Sequence, residues 1–154
     1  MKYACLLISS SLTLAACASS TTAQLTQTEG AELAESIKAF ETVCLKSAPS
    51  FSGAAEAAKA FGISEIIDAR FMKMGLSADK SIGVQTTYDE ECVITTPAQR
   101  RNDLTAQFLG VVSRHTNTPP LKRAPSKISI NGATFIVQHD RTGGETFVML
   151  RTND

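Results

Sequence analysis

Two histidines, four cysteines and fifteen carboxylates are the side chains of this 154-residue chain best able to do chemistry. His115 and His139 could supply a general base or a pair of metal ligands, with Asp140 as the neighbouring acid. Successive strand residues point to opposite faces, however, so His139 and Asp140 would not converge if that stretch is extended. His115 falls at the end of a helical pattern, where the helix dipole favours a histidine with no catalytic duty. Glycan cleavage needs two facing carboxyls, whereas Asp89, Glu90 and Glu91 read as a solvated turn and Glu29, Glu32, Glu35 and Glu41 decorate a helix. The sequence has no Gly-x-Ser-x-Gly, His-Glu-x-x-His, P-loop or Rossmann glycine pattern, and Gly143-Gly144 reads as a turn. No catalytic, metal-binding or cofactor-binding set is therefore expected, and the reading leans away from an enzyme.

Charge is the more informative pattern. Fifteen Lys and Arg balance fifteen Asp and Glu, so no nucleic-acid partner is expected on bulk charge. With no Trp and two Tyr, an aromatic stacking platform is equally unexpected. Between Arg100 and Lys127, though, Arg100, Arg101, Arg114, Lys122, Arg123 and Lys127 meet Asp103 as the only acid. The plain reading is a solvated helix face and a basic loop. The functional reading is a patch for an anionic surface or an acidic partner protein.

These residues must be carried by elements that periodicity locates. A helix is predicted over 29–46, with Thr26-x-x-Glu29 as a capping box and Leu33, Ile37, Phe40 and Cys44 along one face. An Ala-rich helix over 52–61 follows, closed by Gly62. Residues 63–81 show no dominant period and are read as a short helix and loop. From Ile82 the period is two: Val84, Thr86 and Tyr88 alternate up to the turn Asp89-Glu90-Glu91, after which Cys92 and Ile94 resume. That spacing sets Tyr88 opposite Cys92 and Thr86 opposite Ile94. Thr96-Pro97-Ala98-Gln99 reads as a helix start, with Leu104, Phe108, Val111 and His115 as the buried stripe. A meander ends the chain. Asn131-Gly132 joins strands that pair Ile130 with Ala133 and Ile128 with Phe135, and Arg141–Glu145 turns into a strand over 146–151. The order α-α-β-β-α-β-β-β predicts an α+β domain of two layers, helices packed on an antiparallel sheet of about five strands.

The first residues have a different character. Lys2 precedes Ala4 to Ala16, an apolar run of 13 residues, too short for a bilayer span of about 20 but suited to the core of a signal peptide. Leu14-Ala15-Ala16-Cys17 closes it and resembles the lipobox of bacterial lipoproteins. The resemblance implies cleavage before Cys17 and acylation of its thiol and new amino terminus. Each buried methylene contributes roughly 0.8 kcal/mol, so two or three acyl chains anchor stably. Residues 1–16 are then a signal peptide, 17–27 the lipidated Cys with a Ser/Thr-rich tether, and 28–154 the folded domain. An ordinary secretory leader cut after Ala18 or Ala23 is the alternative. Ala18 is not the Asp of inner-membrane retention, which implies the outer membrane, facing the periplasm. Loss of Lys2 with the leader leaves 14 basic residues against 15 acidic ones.

Processing also resolves the cysteines. Cys5 leaves with the leader and Cys17 carries lipid, so Cys44 and Cys92 remain in an oxidising compartment without a Cys-x-x-Cys pattern. Both lie on apolar faces, and a disulfide between them is expected to staple helix to sheet. The leading functional expectation is a lipid-anchored cell-envelope protein that binds another envelope protein or an anionic component, such as phospholipid head groups or lipopolysaccharide phosphate. A domain holding a small amphiphile among Phe71, Met72, Met74 and Phe108 is the alternative, ahead of an envelope hydrolase.

Overall fold

The computed structural model describes residues 32–152. The leader, Cys17, the tether and the capping pair Thr26 and Glu29 lie outside them. The described residues build one antiparallel sheet of seven strands in the order β1-β2-β3-β4-β7-β6-β5. Its strands are β1 (Ile67–Ala69), β2 (Met72–Leu76), β3 (Gly83–Thr87), β4 (Glu91–Thr96), β5 (Ser126–Ile130), β6 (Ala133–Asp140) and β7 (Glu145–Arg151). The helices are short: α1 (Glu35–Ala39), continued by a π-helical turn Phe40–Leu45, then α2 (Ala54–Ala58) and α3 (Leu104–Thr116).

This corrects the expected two-layer α+β domain with about five strands. The sheet dominates, and the missed strands are β1 and β2, where a helix and loop were expected. The reason is physical: neither strand contains a single buried residue, and a hairpin buried on neither face needs no alternation of apolar and polar side chains. The predicted helix over 29–46 is α-helical only from Glu35 to Ala39 among the described residues, before it widens into the π turn. The helix signalled at Pro97 begins at Leu104 instead. Thr96 is still paired with Glu145 in the sheet, and the Gln99 N–H donates to the Glu145 carboxylate at 3.0 Å rather than into a first helical turn.

The β3–β4 hairpin is shifted by two residues from the expected register. Thr86 lies opposite Cys92 and Val84 opposite Ile94, because the chain turns at Tyr88-Asp89-Glu90 with Asp89 in the left-handed region at φ 55°. A shift of two preserves the face, so the apolar side chains still point inward. The β5–β6 hairpin has the expected register, Ile130 with Ala133 and Ile128 with Phe135, and both turn residues, Asn131 and Gly132, have positive φ as a type I′ turn requires.

One face of the sheet carries the core. Ile94, Phe135, Val137, Phe147 and Met149 are fully buried there with Ile37, Phe40, Leu104, Phe108 and Val111 of the helical segments. Phe108 is central, 4.9 Å from the Phe40 ring in an edge-on contact and 5.5 Å from Phe147. The stripe read for α3 is thus correct through Val111, while His115 is only partly buried.

Candidate functional site

Burial along β6 and β7 alternates, which turns His139, Glu145 and Phe147 to the core face. His139 and Glu145 are closed off almost completely, with 0% and 1% of their side chains exposed. The His139 ring stacks on Phe147 at 4.3 Å and 15°. Its Nε2 lies 2.9 Å from Glu145 Oε2, and its Nδ1 lies 3.0 Å from the Thr105 hydroxyl in the first turn of α3. The other Glu145 oxygen accepts the Gln99 N–H at 3.0 Å and the Arg141 guanidinium at 3.0 Å, and Arg141 also donates to the Gln99 carbonyl at 2.9 Å.

Electrostatics assigns the protons. Burial pushes Glu145 upward, but the Gln99 amide, Arg141 and His139 outweigh it and hold the carboxyl below its ordinary range, so it is ionised. Burial lowers His139, and that outweighs the opposing pull of Glu145. A neutral imidazole beside a carboxylate carries its proton on Nε2, donating to Glu145, and Nδ1 then accepts the Thr105 O–H.

Hydroxyl, imidazole and carboxylate are thus linked in the order used for acyl transfer. The imidazole is turned the other way from that arrangement, with Nε2 on the carboxylate and Nδ1 on the hydroxyl, and its side chain is wholly covered while Thr105 is partly buried. What the cluster does is tie α3, β6, β7 and the 97–103 segment together around one buried charge. Sequence reasoning missed Thr105, Gln99, Arg141 and Glu145 as partners, and placed Glu145 in a turn. The available signal was the alternation itself, since Glu145, Phe147 and Met149 fall on one face of β7.

The other histidine stands apart. Thr105 and His115 are ten residues apart on α3, which is about 15 Å of helix, so His115 does not join His139. Asp140 is exposed and accepts the Thr142 N–H at 2.8 Å. Among the described residues, no group of three or more His, Cys, Asp or Glu could hold a metal ion. Phe71, Met72, Met74 and Phe108 do not form one lining: Phe108 is fully buried in the core, Phe71 is 70% exposed, and the two methionines lie in β2 at the far side of the sheet.

Cys44 and Cys92 are bonded to each other, with Cα atoms 5.5 Å apart, joining the π turn to β4. The six basic residues, by contrast, are divided. Arg101 pairs with Asp103 at 2.7 Å and reaches the Glu32 carbonyl, with Arg100 beside it before α3 begins. Arg114 is exposed in the last turn of that helix, whose 13 residues span roughly 20 Å. The Leu121 N–H bonds to the Ser113 hydroxyl at 2.9 Å, bringing the exposed Lys122 and Arg123 to the Arg114 end. Lys127 follows on edge strand β5.

Comparison with protein-family models, curated proteins and solved structures gave no match.

Proposed function

We propose that this chain is a lipid-anchored protein of the bacterial cell envelope, held in the outer membrane and facing the periplasm, whose domain is a binding or accessory module rather than an enzyme. The observation that carries the reading is Cys17, set behind Leu14-Ala15-Ala16 at the end of the 13-residue apolar run. The buried Cys44–Cys92 bond supports it, because such bonds persist in oxidising compartments. In bacteria fed an alkyne analogue of palmitate, the wild-type protein is expected to carry label and sediment with membranes. Cys17→Ala should lose the label and accumulate as the uncleaved precursor. A wild-type protein without label, or a Cys17→Ala variant that keeps it, would refute the anchor.

The cluster Arg114, Lys122 and Arg123 favours an anionic partner for this module. Each basic residue near an anionic surface contributes about 1 kcal/mol at moderate ionic strength. Reversing all three to Glu should therefore weaken binding of the unacylated protein to phosphatidylglycerol vesicles by at least roughly 100-fold at low salt. Reversal of Arg100 and Arg101, at the other end of α3, should matter less. Equal retention of the triple variant and the wild type on these vesicles would dismiss the patch.

A further inference from the structure

The outer face of the sheet, opposite the core, is less polar than its position demands. A one-sided antiparallel sheet normally turns polar side chains to water. Here the register lines up Ile67, Met74, Gln85, Val93 and Val148 in a row across β1, β2, β3, β4 and β7. Ile67 is 64% and Leu76 58% exposed, large values for such side chains. Around them the sheet forms a hollow of about 410 Å³, lined on its apolar side by Ile67, Met74, Leu76 and Val93 and on its polar side by Gln85 and Thr95. Gly83 shapes one end, since a Cβ there would meet Thr95 Oγ1 at 2.5 Å and Leu76 Cδ2 at 2.9 Å. Glu65 is the one charged residue of the lining, and no Lys or Arg shares it.

Such a volume lies within the roughly 300–1,000 Å³ of small-ligand sites. Its chemistry asks for a chain that is apolar along most of its length and cationic at one end. We propose that this hollow binds an alkylammonium-type amphiphile, with the aliphatic tail along Ile67, Met74, Leu76 and Val93 and the cationic head at Glu65. An added peptide strand is the rival occupant, because β1 is an edge. But β1 spans only Ile67–Ala69, and its central Asp68 is engaged by Lys73 at 3.4 Å and by the Tyr88 hydroxyl at 3.2 Å. The site lies toward the β1 edge, away from the basic cluster near β5, and stands whether or not Cys17 is acylated.

The test is a methyl-detected NMR titration of the unacylated full-length Cys17→Ala chain with decylammonium and with decanoate, both below their micellar concentrations. Decylammonium should give saturable shifts at Ile67, Met74, Leu76 and Val93 and bind at least tenfold more tightly than decanoate. Glu65→Gln should bring the two ligands to within about threefold of each other, and Ile67→Ser, at an exposed position, should weaken both. No saturable shift, shifts centred elsewhere, or an unchanged preference in Glu65→Gln would overturn the proposal. So would a site that ignores both amphiphiles while an apolar-basic peptide perturbs the β1 amides.

Discussion

Replacing Cys44 and Cys92 together by Ala should lower the unfolding free energy by about 4 kcal/mol. The two residues are 48 apart in sequence, and releasing a loop of that size returns a large conformational entropy to the unfolded chain. Position adds to length. Cys44 belongs to the Phe40–Leu45 turn and Cys92 to β4, which is paired on both sides by β3 and β7. Both cysteines are fully buried, so the bond fixes the helical segment to the middle of the sheet rather than to a frayed edge. For a domain of this size, the loss corresponds to a fall in Tm on the order of 15 °C. Urea denaturation of wild type, double variant and reduced wild type measures it. A change below about 1 kcal/mol, on the same chain-entropy scale, would mean that the staple does not hold the fold.

Glu145→Ala is expected to cost on the order of 2–6 kcal/mol, since it strips two buried donors of their acceptor at about 1–3 kcal/mol each. The loss leaves the Gln99 N–H and the His139 Nε2–H without their acceptor inside the protein and frees Arg141 from its carboxylate. Glu145→Gln keeps one acceptor oxygen and should cost less, on the order of 1–3 kcal/mol. The pH dependence follows from the same contacts. Both His139 and Glu145 titrate below their ordinary values of 6.5 and 4.5, so the unfolded chain binds protons more readily than the folded one. Stability is therefore full at neutral pH and falls on acidification, first below about 6.5 as His139 resists protonation and then below about 4.5 through Glu145. In Glu145→Gln, His139 loses the charge that favours its protonation, so the upper window should steepen while the lower one flattens. A stability profile that stays level from pH 7 to pH 4, or a Glu145→Ala variant as stable as wild type, would contradict this account.

Legibility in the sequence tracked one-sided burial. The β5–β6 hairpin could be read to the residue pair because Ile128, Ile130, Ala133, Phe135 and Val137 are buried on one face and Asn131-Gly132 admits few turn geometries. The hairpin of β1 and β2 could not, because none of its residues is buried and so no period marks a core face. The α3 stripe was visible, yet its start was misplaced by a capping signal at Thr96 and Gln99 that tertiary contacts redirect to β7. The basic residues formed one group along the chain and two in space, because a helix separates its ends by its own length.

What the sequence by itself determined is local: the apolar run before Cys17, the Asn131-Gly132 turn, the stripe Leu104, Phe108 and Val111, and two cysteines on apolar faces. Each depends on neighbours within a few turns or strand steps, where spacing alone decides which side chains share a face. Only the tertiary structure decided that Thr105, His139, Arg141 and Glu145 close around one charge, and that β1 to β4 enclose an apolar hollow with Glu65 in its lining. Those arrangements depend on strand order and on which groups burial leaves in need of a partner. That requirement is met by contacts such as Gln99 with Glu145, 46 residues apart, which no local period encodes.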